Sequence, residues 1–190
     1  MAEKNFDHLL EKTVEEKKIF DGKILRLYHD TVELPDGERA MREYCRHNGG
    51  VCVLPVTRDG NIILVRQYRY PHGKLTLEIP AGKLETKDAD IYASAMRELK
   101  EETGATSDNV EYLGKILPSP AILSEVIHVF LATDLKFGER CLDDDEFLEC
   151  ETISFDDALG MVLSGEIEDA KTQIAILKYF AKNRLENKNG

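Results

Sequence analysis

Two Asp-Gly turns, each set between two strand-like segments, constrain the fold of this chain more than any other feature of its sequence. The first, Leu34-Pro35-Asp36-Gly37, lies between two extended segments within residues 23–47. The second, Thr57-Arg58-Asp59-Gly60, separates residues 51–56 from residues 61–69, and both flanking segments are rich in β-branched residues. Asp-Gly between extended apolar runs is typical of a β-hairpin. The sequence therefore predicts two hairpins in its first 70 residues.

Helical periodicity first appears clearly at residues 90–103, where Asp90 is suited to the N-cap and Gly104 to the terminating position. Asp169 is suited in the same way to capping the last helix. Beyond residue 104 the pattern predicts strands at 110–117, 126–135 and 150–155, and helices at 156–164 and 170–185. Helices inserted into a mixed sheet favour an α+β or α/β sandwich over a parallel doubly wound fold. Residues 1–47 are expected to form a separate small sheet.

Composition excludes several functional classes. The formal charge of -11 and a pI near 5.0 argue against a nucleic-acid-binding protein, which needs clustered Lys and Arg. The four cysteines have neither CxxC nor metal-ligand spacing, which argues against zinc and favours reduced thiols. A charged N-terminus and the lack of a long apolar run predict a soluble cytoplasmic protein without membrane contact.

The segment 96–104 carries the most informative side chains. Residues three and four apart share a helix face, so Glu98, Glu101 and Glu102 are expected to converge beside the glycine-containing segment at 82. Three glutamates alone are more often a solvated acidic face. The other interpretation is a site for magnesium, which takes oxygen ligands and usually keeps positions for water and substrate phosphate.

The sequence GKLETKDADIYASAMRELKEETGA resembles the Nudix box. Arg97 to Ala105 match the second half of that pattern in full. One extra residue lies in the first half, so that Ala89 stands where the first glutamate belongs. Similar segments extend over nearly the whole chain, and Pro120 stands sixteen residues after Gly104, which resembles the ADP-ribose pyrophosphatase subgroup. The resemblance implies an α/β/α sandwich with a mixed sheet, preceded by a small antiparallel β extension.

By matched position, the resemblance also implies a set of metal ligands. Glu98 and Glu102 would be the main ligands of Mg²⁺, with Mn²⁺ as a possible substitute, and Glu102 would be central to catalysis. Glu101 would be an additional ligand and Ala81 a ligand through its backbone carbonyl. Arg97 would pair with the acidic groups of the box.

Substrate and catalytic residues follow from the same resemblance. Arg69 would clamp the diphosphate. Arg66 is an alternative, although it is equally well explained as a solvent-facing strand residue. Glu43 would contact the nucleobase of the substrate. An acidic residue of the run 143–146 would activate water or complete the metal shell. Glu146 and Asp145 are the first choices and stay unranked.

The activity that the resemblance implies is hydrolysis of the pyrophosphate bond of ADP-ribose or a related ADP-sugar, giving AMP and a sugar phosphate. Two alternatives stay open: a hydrolase of another nucleotide sugar such as GDP-mannose, and a catalytically impaired domain that only binds nucleotide. Relatives in which N-terminal segments cross to a partner suggest a homodimer assembled through residues 1–47. The catalytic domain would then span residues 48–190.

Overall fold

The computed structural model of the protein describes residues 4–86, 89–142 and 146–189. They form two compact units. The N-terminal unit comprises the chain up to His47 together with Ser119–Glu125, and the main unit comprises Asn48–Pro118 and the chain from Val126 onward. Ser119–Glu125 therefore belongs to the N-terminal unit, whereas the sequence was expected to divide the chain once, after residue 47.

The N-terminal unit is built around one long strand. Its strands are β1 (Lys12–Glu15), β2 (Lys18–Asp21), β3 (Arg26–Glu33) and β4 (Arg39–Arg46). β4 pairs along one edge of β3, while β1 and β2 pair with different parts of β3, all antiparallel. The first predicted hairpin is therefore confirmed as β3–β4, with the Leu34 N–H donating to Glu38 O across the turn at 2.8 Å.

The main unit contains nine strands and three α-helices within the described residues. They are β5 (Gly50–Pro55), β6 (Asn61–Arg69), β7 (Lys74–Glu78), β8 (Ala81–Lys83), α1 (Ile91–Thr103), β9 (Ala105–Thr106), β10 (Asn109–Ile116), β11 (Ile127–Thr133), β12 (Lys136–Phe137), β13 (Leu148–Ser154), α2 (Phe155–Ser164) and α3 (Ala170–Asn189). The four-stranded sheet has the order β10-β11-β5-β8, and a second sheet has the order β13-β6-β7. β11 and β5 are parallel whereas the other pairs are antiparallel, so the first sheet is mixed as expected.

The second predicted hairpin is wrong. β5 and β6 follow each other through the expected turn, but they belong to different sheets. Next to the turn the chain is joined by the bridge between Val56 and Ile62 and by a hydrogen bond from the Thr57 N–H to Asn61 O at 2.8 Å. The physical reason is that β11 and β8 occupy the two edges of β5. A strand has only two hydrogen-bonding edges, so β6 pairs instead with β13 and β7.

Alternation along β5 shows how the layers are arranged. Val51 and Val53 belong to a core that includes Ala95 and Leu99 of α1. Cys52 and Leu54 point to the opposite face and belong to the core that includes residues of α2 and α3. Successive side chains of a strand point to opposite faces. The sheet is therefore covered by helices on both sides, which is the α/β/α arrangement expected from the sequence.

The helix ends follow the predicted capping residues. Asp90 accepts hydrogen bonds from the N–H groups of Tyr92 (2.9 Å) and Ala93 (3.1 Å), and Gly104 ends α1 with φ +72°. Asp169 accepts from the Thr172 N–H at 2.9 Å and so caps α3. Within the described ranges, none of the helices has the length and apolar character that crossing a membrane requires.

Candidate active site

Two carboxylates of α1 are buried against the strand that precedes the helix. The exposed fractions of Glu98 and Glu102 are 6% and 2%. The Ala81 N–H, at the start of β8, donates to Glu102 Oε2 at 3.2 Å. One turn of helix separates the two glutamates, so both side chains face β8. The structure thus brings together Ala81, Glu98 and Glu102, three of the predicted metal ligands.

Gly82 makes this close approach possible. A Cβ built on Gly82 would lie 1.9 Å from both Cδ and Oε1 of Glu98, far inside any real contact distance. The constraint comes from space and not from backbone strain, because only glycine leaves room for the carboxylate against the strand. The glycine of the box therefore has a direct steric role here.

Arg97 bridges Glu101 to Glu98 at the edge of the buried pair. Its guanidinium donates to Glu98 Oε1 at 2.6 Å and to Glu101 Oε2 at 2.5 Å. The Glu101 side chain keeps 27% of its exposure, against 8% for Glu98. The three carboxylates therefore do not converge equally: Glu98 and Glu102 form a buried pair, and Glu101 lies at its rim.

Burial and mutual repulsion dominate the electrostatics of the buried pair, although Arg97 contacts Glu98 and the charge of Lys171 acts on Glu102. Burial, together with the charge of Glu98, raises the pKa of Glu102 to about 8. Burial likewise raises the pKa of Glu98, although Arg97 opposes the shift. Two carboxylates at one site disfavour simultaneous ionisation, and a bound cation would restore it.

The acidic run before β13 is only partly within the described residues. Asp145 lies outside them, as do Asp143 and Asp144. Glu146 is described, and its charge raises the pKa of both Glu98 and Glu102. Its carboxylate therefore lies within electrostatic range of the buried pair, and its catalytic role stays a prediction.

The two arginines of β6 have different surroundings. Arg69 donates from Nε and Nη2 to the buried carboxylate of Glu78, at 2.7 and 2.6 Å. The charge of Glu102 contributes to raising the pKa of Arg69, which places its guanidinium within electrostatic range of the buried pair. Arg66 pairs instead with Glu151 of β13, and both side chains are about one-third exposed.

Glu43 lies in the N-terminal unit, on β4. Its side chain is 78% exposed, and Oε1 is 3.9 Å from Nε2 of His29. The predicted contact between Glu43 and the nucleobase of the substrate stays a prediction.

Sequence reasoning missed two charged residues of this region, Glu78 and Lys171. Glu78 ends β7 and is 2% exposed, and Lys171 in the first turn of α3 is 8% exposed. Lys171 Nζ forms an ion pair with Glu78, and its charge opposes the rise in the pKa of Glu102 that burial causes. The available signal was Glu78 itself, a carboxylate at the end of an apolar strand, which requires a partner when buried.

The side chains around Glu102 fit a divalent cation. The observation that carries this is a buried carboxylate pair with raised pKa values, next to the backbone of Ala81. In the described part of the chain, no group of three or more His, Cys, Asp and Glu side chains is placed to hold a metal ion by itself. Mg²⁺ commonly binds through one or two protein carboxylates and completes its shell with water and phosphate, so a partial set of ligands is suited to it.

Comparison with known protein families decides the assignment. A model described as the NUDIX domain matches residues 46–174. The chain belongs to this family. A second model, the nucleoside diphosphate sugar hydrolase N-terminal domain, matches residues 11–44. The Nudix resemblance of the box is thereby confirmed.

Individual relatives agree with the family. The chain is 44% identical to an ADP-ribose pyrophosphatase of Bacillus subtilis (strain 168) and 40% identical to a methanol dehydrogenase activator of Bacillus methanolicus, in each case over 94% of this chain and 97% of the relative. It is 34% identical to a GDP-mannose pyrophosphatase of Yersinia pestis (strain Pestoides F), over 81% of this chain and 83% of the relative. A crystal structure of an ADP compounds hydrolase shares the fold, with a TM-score of 0.81 at 20% identity, covering 94% of this chain and 95% of that chain.

Proposed function

We propose that this Nudix protein hydrolyses the pyrophosphate bond of ADP-ribose or a related ADP-sugar, giving AMP and a sugar phosphate, with Mg²⁺ as the metal. The observation that carries the proposal is the buried pair Glu98–Glu102 beside Ala81, with Glu146 and Arg69 in electrostatic range. The 44% identity to an ADP-ribose pyrophosphatase supports the choice of substrate.

Each residue then has a definable task. Glu98, Glu102 and the carbonyl of Ala81 would hold the metal, with Glu101 at the rim as a further ligand. The metal would supply charge neutralisation of the diphosphate and a lower pKa for the attacking water. Arg69, whose Nε and Nη2 are bound to Glu78, would offer the remaining N–H groups of its guanidinium to phosphate oxygens. Glu146 would accept the proton of the attacking water, and Asp145 is the alternative for this step.

Other nucleotide sugars remain the main alternative within the same chemistry, because the box determines the reaction and the surrounding pocket determines the substrate. The relative that is a GDP-mannose pyrophosphatase supports this alternative. An impaired domain that only binds nucleotide is less well supported, since Glu98, Glu101 and Glu102 are all retained. The one observation that favours an impaired domain is the extra residue in the first half of the box.

A substrate panel tests the proposal. ADP-ribose, other ADP-sugars and GDP-mannose are each incubated with the protein and magnesium, and released AMP or GMP is quantified to obtain kcat/KM. We expect the highest kcat/KM for ADP-ribose or another ADP-sugar. A higher value for GDP-mannose would establish the alternative, and binding without nucleotide release from any compound would establish the impaired domain.

Assembly and location complete the proposal. The N-terminal unit exposes a group of large apolar side chains, each at least 45% exposed: Val14, Ile19, Phe20, Ile24 and Leu25. An apolar surface formed by such side chains would be typical of a protein interface. We infer a homodimer formed through the N-terminal unit.

All four cysteines are free thiols, which supports a reducing compartment such as the cytoplasm.

A further inference from the structure

Glu78 links three elements of the main unit through one buried carboxylate. It accepts two hydrogen bonds from Arg69 of β6 and one from Thr76 Oγ1 of β7 at 2.6 Å. It also accepts a hydrogen bond from Nζ of Lys171, whose ammonium group is further paired with Asp169 at 3.0 Å. Both oxygens of Glu78 are therefore engaged, and two cations from different elements are held on one anion.

Pairing between opposite charges keeps the groups of this cluster ionised. Burial raises the pKa of Glu78, but the hydrogen bonds and charges of Arg69 and Lys171 outweigh burial and bring it to about 2. Burial would lower the pKa of Lys171, and the charges of Asp169 and Glu78 raise it instead. Glu78, Arg69 and Lys171 are thus all charged at neutral pH.

The segment that follows Glu78 in the chain connects this cluster to the buried pair of α1. Ala81, three residues after Glu78, donates its N–H to Oε2 of Glu102 at 3.2 Å. The charge of Lys171 also acts on Glu102, where it opposes the rise in pKa that burial causes. Glu78 therefore holds two positive groups next to the segment that contacts the carboxylate where the metal and the diphosphate are expected to meet.

Stability alone is a weak reason for such a cluster. Removing buried charges from water costs free energy, and replacing a buried ion pair by well-packed apolar residues is often neutral or stabilising. A site that must bind phosphate, in contrast, needs cations in place before the substrate arrives. The arrangement at Glu78 meets this second requirement.

We propose that Glu78 is a positioning residue for substrate binding: it holds Arg69 and Lys171 in place beside Glu102, so that both cations are preorganised for a diphosphate. The inference rests on the proposed function, which supplies the diphosphate. It assigns Glu78 no contact with the substrate.

The test compares Glu78→Gln with the wild type in two measurements: kcat and KM for ADP-ribose with magnesium, and the Kd for inorganic pyrophosphate by calorimetry. Gln keeps the shape but loses the charge, so Arg69 and Lys171 lose their common anchor. We expect KM and Kd to rise about tenfold or more, the scale of a lost hydrogen bond to a charged group, with a smaller change in kcat. Glu78→Asp, which keeps the charge, should restore part of the effect.

Thr172→Val is the matched structural control. Thr172 Oγ1 accepts a hydrogen bond from the N–H of Ile79, the residue after Glu78, at 2.8 Å and donates one to Asp169 at 2.6 Å. Its loss therefore weakens the same junction between α3 and the end of β7 but changes no charge and leaves the Glu78 carboxylate in place. We expect a lower Tm but KM and Kd within about twofold of the wild type, since surrounding charges are unchanged. The control separates loosening of the junction from loss of the anchor.

A folded Glu78→Gln variant with wild-type KM and Kd would overturn the proposal. If Glu78→Gln does not fold, Thr76→Val provides the test, because it changes no charge and removes the hydrogen bond that orients the Glu78 carboxylate, together with a longer one at 3.3 Å to the backbone carbonyl of Gln67. It should raise Kd for pyrophosphate more than Thr172→Val, and an equal effect would overturn the proposal. A wild type that binds pyrophosphate but does not hydrolyse ADP-ribose would count against the proposed function alone, because the Kd comparison still tests Glu78.

Discussion

At the residue scale, the acidic side chains of the site differ in burial and therefore in role. Glu98 and Glu102 are buried with raised pKa values, as expected of groups whose ionised form needs a cation. Glu101 is tied to Arg97 at the rim. Glu146 lies within electrostatic range of the pair and comes from the loop before β13, so it could act as a base at the same site. These surroundings define the first prediction.

Removing the charge of Glu146, the proposed general base, should slow the chemical step while substrate binding persists. We expect Glu146→Gln to lower kcat by about 10²- to 10⁴-fold, the usual contribution of a general base, with KM changed only a few-fold. The measurement is kcat and KM for ADP-ribose at saturating magnesium, for Glu146→Gln and for Asp143→Asn, Asp144→Asn and Asp145→Asn made singly. A dominant effect of Asp145→Asn would transfer the role to Asp145. If all four stay within about threefold of the wild type in kcat, the run is only a charged turn.

At the scale of elements, the approach of α1 to β8 depends on one glycine. In Gly82→Ala the new Cβ would overlap the Glu98 carboxylate, which must move away from Ala81 and Glu102. Because a misplacement of about 1 Å can cost roughly 100-fold in rate, we expect a loss of that order in kcat/KM for ADP-ribose. Gly160→Ala in α2 is the control, since nothing lies within 4 Å of its Cβ, and its activity should equal that of the wild type. Equal activity of both variants would show that Glu98 does not need its position.

The junction of β6, β7 and α3 at Glu78 predicts a pH dependence of stability. The pKa of Glu78 is depressed from 4.5 to about 2 in the folded state, so its stabilisation is complete above about pH 4.5 and is lost as pH falls towards 2. The shift corresponds to about 3 kcal/mol. The difference in unfolding free energy between wild type and Glu78→Gln, from urea titrations, should shrink by about that amount between pH 5 and pH 2. A difference that is independent of pH would show that the Glu78 charge does not stabilise the junction.

The elements that could be predicted from sequence are those determined by local chemistry. α1 begins after Asp90 and ends before Gly104 because capping is decided by neighbouring residues. The prediction of a β5–β6 hairpin was wrong because strand pairing depends on residues far apart in the chain. Both edges of β5 are paired with other strands, β11 and β8. The same distinction applies to the site. Glu98 and Glu102 follow from helical spacing, whereas the role of Glu78 depends on Lys171, 93 residues further along the chain.

At the scale of the whole molecule, the exposed apolar group of the N-terminal unit predicts assembly. Light scattering at micromolar concentration should give the mass of a dimer. Phe20→Asp places a charge among side chains that are about half exposed and should shift the mass towards a monomer. Phe137→Asp is the control, because Phe137 is 64% exposed but lies in the main unit. A fully active wild-type monomer under these conditions would rule out the dimer as a requirement for activity.

The central claim is that Glu98 and Glu102 bind a divalent metal that is needed to hydrolyse ADP-ribose. It is tested most directly by the rate of AMP release from ADP-ribose, measured for the wild type and for Glu98→Gln/Glu102→Gln, each with magnesium and with excess chelator. We predict AMP release only by the wild type with magnesium, and a loss of more than about 100-fold in the double variant, which should keep its fold. Undiminished AMP release by the double variant with magnesium, or by the wild type with chelator, would contradict the account.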